Sequence, residues 1–278
     1  MINNVHKKVI VTGATGFIGQ NLIPHLIKEG YEITAISRTP QKAKVFDWYA
    51  KVNFIQKDIS QLHEEIDIGQ NIGLFHLAWQ DLPNYNSPHH YEKNLPSNYN
   101  FIKKMILSGI KHILVTGTCF EYGFQSGPIS SSSKTHPNNS YAIAKDNLRQ
   151  HLELLNNDQP FLLQWARLFY MYGRGQNSNS IIPQLDEAIN KNEKKFNMSE
   201  GEQLRDYLPI IKVVEQLHKL YEKSKSGSYN ICSGQPISVR NLVEARRLEK
   251  RSKIDLNFGY YPYSSLEPMA FWGIKDIE

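Results

Sequence analysis

The sequence predicts an α/β fold, a doubly wound parallel sheet joined to a smaller C-terminal lobe. Three observations predict it. Apolar runs alternate with helical patterns over residues 1–168, the first run ends in Gly13, Gly16 and Gly19, and the alternation loses its regularity beyond Leu168. Such alternation puts helices on both faces of a parallel sheet, and right-handed crossovers leave ligands at the carboxyl ends of the strands.

In chain order, strands are predicted over 8–12, 32–37, 52–56, 72–77, 112–116 and 161–168, each a short apolar or β-branched run bounded by turn residues. Helices are predicted over 16–28, 91–107 and 141–156. The last is opened by Pro137-Asn138-Asn139-Ser140, whose side-chain oxygens suit a helix start. A loop over 173–178 and a helix over 180–190 follow. The run Gly227-Ser228-Tyr229-Asn230-Ile231-Cys232 reads as a strand returning to the first sheet. The expected division is therefore 1–168 for the nucleotide, with a return near 207–235, and 169–278 mainly for the substrate.

Val9-Ile10-Val11-Thr12-Gly13-Ala14-Thr15-Gly16-Phe17-Ile18-Gly19 leads an apolar strand into glycines spaced by threes and then a helix. Glycine lets the main chain approach a pyrophosphate, and the free amides of a helix start favour negative charge. Gly13, Thr15, Gly16, Phe17 and Ile18 are the expected contacts. A strand-turn-helix that needs glycine only for packing is the structural alternative.

Composition narrows the class. The 278 residues carry 32 basic and 27 acidic side chains, a net charge of +5, and the basic runs near 191–195 and 246–251 intersperse acids. Solvated helix faces explain those runs better than a nucleic-acid surface, and an anionic small substrate suits the mild excess. No run reaches the roughly 18–20 apolar residues of a membrane span. A cytoplasmic, membrane-free protein is expected. Its two cysteines, Cys119 and Cys232, are far apart, and His89-His90 lacks partners of ligand type, so neither a disulfide nor a metal is expected.

Tyr141 and Lys145 stand four apart on a predicted helix and so share a face. A nearby ammonium can tune a phenol whose ordinary pKa, about 10, is too high for proton transfer near neutrality. Chance pairs of this kind are common, so context matters. Here the pair follows the strand ending in Gly117-Thr118, which brings a hydroxyl to the sheet edge.

The glycine loop, Thr118 and the Tyr141–Lys145 helix together resemble the extended short-chain dehydrogenase/reductase family, especially its nucleotide-sugar branch. The likeness spans most of the chain. It includes Leu77-Ala78, Asn94, Glu121-Tyr122-Gly123, the run from Arg167 to Gly173, Leu204-Arg205-Asp206-Tyr207 and Tyr229-Asn230-Ile231-Cys232-Ser233-Gly234. The resemblance implies a Rossmann-type fold, a nicotinamide cofactor, a nucleotide-sugar substrate and a homodimer through helices 91–107 and 141–156. It implies Thr118, Tyr141 and Lys145 as the catalytic set, with Tyr141 and Lys145 also touching cofactor. Asp58-Ile59 would border the adenine and Leu77-Ala78 would line the cofactor. Asn94 would steady the adjoining helix, and Arg205 would clamp a diphosphate. Tyr170 stands at a substrate position where many relatives carry asparagine.

Ser37-Arg38 closes the second strand where an acid would bind the 2′-hydroxyl of NAD. Arginine there accommodates the 2′-phosphate, so NADP is favoured and NAD is the alternative. Relatives that eliminate water usually follow the hydroxyl residue with Asp-Glu; Cys119-Phe120 replaces that pair and disfavours a dehydratase. Reduction of a nucleotide-linked 4-keto sugar of the 6-deoxy or dideoxy type, for bacterial surface polysaccharide, is the leading expectation. A 4-epimerase is the enzymatic alternative, and a cofactor-sensing protein without activity is the third.

Overall fold

The computed structural model describes residues 7–61, 72–263 and 267–277. Seven strands form one sheet: β1 (Lys8–Thr12), β2 (Glu32–Ser37), β3 (Asn53–Gln56), β4 (Ile72–His76), β5 (His112–Thr118), β6 (Leu162–Leu168) and β7 (Gly227–Ile231). Across the sheet they run β7-β6-β5-β4-β1-β2-β3. Every neighbouring pair is parallel. This is the predicted doubly wound, Rossmann-type sheet; β1 and β2 have the bounds foreseen from sequence, and the other strands differ by a residue or two at an end.

The longer helices are α1 (Gly19–Lys28), α2 (Leu95–Leu107), α3 (Ser140–Asp158), α4 (Ile181–Asn190), α5 (Ile210–Glu222) and α6 (Val239–Glu249). Two starts differ from expectation. Residues 13–18 are loop because Gly13 takes a φ of +67° and Gly16 N–H closes on Gly13 O at 2.9 Å. The helix expected from 91 opens instead as a wide turn, His90–Asn94, before α2. Pro96 has no N–H to give the turn beneath it, so regular helical bonding is delayed there.

Period-two alternation sorts the strand side chains onto opposite faces. Val9 and Val11 pack with Leu22 and Leu26 of α1 and with Val214 and Leu217 of α5. Ile10 points the other way and packs with Phe101 and Met105 of α2 and Leu148 and Leu152 of α3. Each fully buried side chain of this size contributes roughly 1.5–3 kcal/mol, which is why a sheet buried on both faces reads as continuous apolar runs. A separate cluster joins Leu185 of α4, Val243 of α6, Phe196, Met198, Ile254 and Leu256.

β1 and β4 are neighbours whose following segments leave toward opposite faces, which opens a crevice at their carboxyl ends. A buried polar chain lies beneath it. Thr12 Oγ1 accepts from Leu77 N (3.2 Å) and Ala78 N (3.3 Å), so its own hydrogen goes to His76 Nδ1 at 3.0 Å. His76 Nε2 then donates to Asn98 Oδ1 (2.6 Å), Asn98 Nδ2 to Asn94 O (2.6 Å), and Asn94 Nδ2 to Gln80 O (3.0 Å). The chain ties β1, β4 and α2 together and requires neutral His76.

Burial brings the His76 pKa down to about 3. Below its ordinary 6.5 the unfolded chain binds a proton that the folded chain refuses, so stability falls as pH drops from about 6.5 toward 3. His76→Gln should flatten this acid-side slope in urea unfolding between pH 6 and pH 4. Parallel losses in both proteins would show that His76 is not held neutral.

Candidate active site

The glycine loop fits a dinucleotide on geometric grounds. A Cβ on Gly13 would stand 2.9 Å from Ala78 N and 3.0 Å from Leu77 C, and one on Gly19 only 2.4 Å from Gly13 O. A side chain at Gly13 would push the loop away from the segment after β4, and one at Gly19 would push the helix start away from the loop. Beside it lies a cavity of about 250 Å³ lined by Gly13, Thr15, Gly16, Asp58, Ile59 and Ala78, among others. Phe17 and Ile18 lie behind the loop against the core, and Asn94 reaches the same cavity from below.

At one end of this cavity Thr15 Oγ1 and Ser37 Oγ share a hydrogen bond of 2.8 Å. Arg38 extends from the end of β2, its side chain 55 % exposed, and lies 3.9 Å from Asp58. Its Nη1 donates to Gln80 Oε1 at 2.9 Å. Lys42 and Lys57 line the same end. Asp58 also accepts from Ser60 N at 2.9 Å, closing its own turn.

The predicted catalytic set does not line this cavity; it adjoins it through Trp79, which does line it and whose ring lies 6.0 Å from that of Tyr141. Asn139 Oδ1 caps α3 by accepting from Ala142 N at 2.9 Å, and the first turns of α3 then present Tyr141 and Lys145 to the end of β5. Lys145 is 1 % exposed and its Nζ donates to Thr116 O at 2.7 Å. Burial lowers its pKa to about 7, with Glu121 opposing. Tyr141 is 8 % exposed. Burial and then the Glu121 charge raise its phenol well above the usual range, while a side-chain hydrogen bond with Thr118 pulls it back. Thr118, Tyr141 and Lys145 thus converge from β5 and α3.

Glu121, whose role the sequence did not disclose, organises this corner. It is fully buried. Its carboxylate accepts from Thr118 N (2.8 Å), Trp165 Nε1 (3.0 Å) and Arg167 Nε (2.7 Å). Arg167 in turn donates to Tyr122 Oη (3.2 Å) and Ser131 O (3.0 Å). Gly117 leaves the necessary space, since a Cβ there would stand 2.5 Å from Glu121 Oε1. A buried acid-arginine pair of this sort fixes a backbone position more than it adds stability.

Arg205 and Tyr170 are brought together, but both are engaged by Glu267. Tyr170 Oη donates to Glu267 Oε2 at 2.9 Å, and Arg205 Nη2 donates to the same oxygen at 2.9 Å. Arg205 Nη1 donates to Leu204 O (2.9 Å) and Met269 O (3.3 Å). Asp206, the nearest acid in sequence, takes Ser233 N and Gly234 N instead. The sequence also left unmarked an aromatic wall. Tyr85 lies 5.7 Å from the Tyr141 ring and 5.2 Å from that of Phe120, and Trp79 and His90 are also ring neighbours of Tyr141. The one available signal for Trp79 was its place directly after Leu77-Ala78.

This topology, with the glycine loop at the end of β1, is the Rossmann-type fold of the extended short-chain dehydrogenase/reductase class. The chain belongs to the NAD dependent epimerase/dehydratase family, whose sequence model matches residues 9–232. It is 34 % identical over 271 residues to the dTDP-6-deoxy-L-talose 4-dehydrogenase (NAD(+)) of Aggregatibacter actinomycetemcomitans, covering 96 % of this chain and 99 % of the relative. It is 24 % identical to the dTDP-4-dehydro-6-deoxyglucose reductase of Escherichia coli, over 90 % of this chain and 84 % of the relative. Among solved structures, the UDP-N-acetylglucosamine 4-epimerase of Methanobrevibacter ruminantium superposes with a TM-score of 0.87 at 21 % identity, over 97 % of this chain and 89 % of the other. That likeness is one of fold. Among the described residues no helix is long and apolar enough to cross a membrane.

Arg167→Met would leave Glu121 charged, buried and without its arginine, a change that costs about 3–5 kcal/mol. Urea unfolding should show that loss, and Glu121→Gln combined with Arg167→Met should recover part of it. Full stability in the single variant would mean that the pair does not anchor the end of β5.

Proposed function

We propose that the protein is an NADPH-dependent oxidoreductase that reduces the 4-keto group of a nucleoside-diphosphate-linked 6-deoxy or dideoxy sugar. The observation that carries this reading is the convergence of Thr118, Tyr141 and Lys145 at the end of β5, next to Trp79 of the cavity beside the glycine loop. Residues 1–168, with the return near 207–235, would hold the cofactor and residues 169–278 mainly the sugar nucleotide, within the cytoplasm.

When bound, reduced nicotinamide supplies a hydride from C4 to the sugar carbonyl carbon. Tyr141 gives its phenolic proton to the carbonyl oxygen as negative charge develops there, and Thr118 holds that oxygen by a hydrogen bond. Lys145 donates to the nicotinamide ribose and favours the tyrosinate that remains. Gly13, Thr15, Gly16, Phe17 and Ile18 would hold the pyrophosphate, Asp58 and Ile59 would border the adenine, Leu77 and Ala78 would line the cofactor, and Asn94 at the cavity wall would steady the adjoining helix. Arg205 and Tyr170 would meet the diphosphate or sugar only by leaving Glu267.

Substrate class draws support from the relative at 34 % identity, since a 4-dehydrogenase run in reverse is a 4-ketoreductase. Cofactor choice rests on Arg38, which with Lys42 supplies positive charge for a 2′-phosphate. The NAD(+) in that relative's name favours the second reading, an NAD-linked enzyme working in the oxidative direction. A homodimer through α2 and α3 is supported by the exposed apolar Leu107, Ile143 and Leu154. Light scattering that finds only monomer removes that element.

The purified protein should consume NADPH in the presence of a dTDP-linked 4-keto-6-deoxy sugar, and NADPH should outperform NADH. Arg38→Ala should narrow that preference by roughly tenfold. Tyr141→Phe should lower turnover by about a hundredfold or more while leaving NADPH affinity nearly unchanged. Equal use of NADH would reject the NADP assignment. Inversion of a sugar centre without net NADPH consumption would make the protein an epimerase.

A further inference from the structure

Trp79 directly follows Leu77 and Ala78 at the end of β4. Its ring centroid lies 4.1 Å from Lys145 Nζ and 6.0 Å from that of Tyr141. The indole is held from its edge, where Trp79 Nε1–H donates to His90 Nδ1 at 3.1 Å. His90 is fully buried. Its Nδ1 also receives Asn94 Nδ2 (3.2 Å), and its Nε2 donates to Asn84 O (2.9 Å). The neutral tautomer with hydrogen on Nε2 suits these contacts, Trp79 and Asn94 sharing the single lone pair of Nδ1. His90 therefore fixes the indole plane without bringing charge near Lys145.

We propose that Trp79 is a positioning residue whose indole face holds the Lys145 ammonium in the buried corner beside Tyr141. The inference rests on Tyr141 and Lys145 being the working pair described above. An ammonium 1 % exposed has lost its hydration, and Thr116 O answers only one of its three N–H groups. The negative face of an indole is the strongest aromatic partner for a cation, and more so when water is excluded. It also suits the task better than a carboxylate. An acid in contact would pin the ammonium in a salt bridge, whereas a ring steadies the charge and leaves an N–H for a bound hydroxyl.

The other titratable groups around this corner do not replace it. Glu121 favours the ammonium from a distance, but its oxygens are occupied by Thr118 N, Trp165 and Arg167. His76 on β4 is kept neutral by burial and Asn98. His90 titrates below its usual range and Tyr141 above its own. Burial raises the Glu121 pKa and lowers that of Lys145 to about 7, so modest changes around the lysine alter its charged fraction severalfold.

Two measurements that need no sugar test the proposal. In the first, NADPH affinity is followed against pH by nicotinamide fluorescence. Its fall on the alkaline side should move about one unit toward lower pH in Trp79→Leu and by clearly less in Trp79→Phe, which keeps a ring face. Equal displacement in both variants, or none in either, overturns the proposal. In the second, the Trp79 share of protein emission is taken as wild type minus Trp79→Phe. Without cofactor it should change in one step centred near pH 7, and that step should vanish in a Lys145→Met background. The same step surviving there also overturns the proposal. The second measurement does not depend on the leucine variant folding. Failure to turn over any 4-keto sugar would count against the proposed function while leaving both tests of Trp79 decisive.

Discussion

The crevice depends on a line of buried polar groups that cannot be broken without stranding a donor or acceptor in the core. Thr12, His76, Asn98 and Asn94 pass hydrogen bonds from the end of β1, under the Leu77-Ala78 step, to the base of α2. Each unpaired member would cost about 1–3 kcal/mol, so the segments on either side of the crevice are held to one separation. That separation lets the glycine loop approach the end of β4. The cavity is therefore built from below as much as it is shaped by glycine from above.

A second buried arrangement, centred on Glu121, does for the reacting end what the first does for the cofactor floor. Glu121 fixes Thr118 through its amide, is itself fixed by Arg167 and Trp165, and lies close enough to raise the pKa values of both Tyr141 and Lys145. One acid thus has a mechanical role and an electrostatic one. It favours a neutral phenol and a charged lysine together, the combination that protonation of an alkoxide requires. Trp79 and Thr116 complete the setting of the lysine. The Tyr-x-x-x-Lys spacing is only the visible part of this arrangement.

The sheet was legible because its strands are buried on both faces and so appear as unbroken apolar runs, as in Lys8–Thr12 and Ile72–His76. The convergence of Thr118 with Tyr141 was legible too, since a strand end and the next helix start are neighbours in this topology. The wide turn before α2 was not, because one proline in a helical pattern does not announce how the chain accommodates it. Nor was the engagement of Arg205 and Tyr170 by Glu267, which is 62 residues from Arg205. No local pattern pairs residues so far apart in the chain.

The amino-acid sequence by itself determined which residues form strands and helices, where the main chain needs glycine, and that Tyr141 and Lys145 share one helix face. These follow from period, spacing and short-range sterics. Only the tertiary structure decided which polar groups find each other in the interior: His76 with Asn98, Glu121 with Arg167, His90 with Trp79. Such pairings are set by how helices and strands from distant stretches pack once water is excluded. A hydrogen-bonding side chain carries no mark in sequence of the partner that burial will give it.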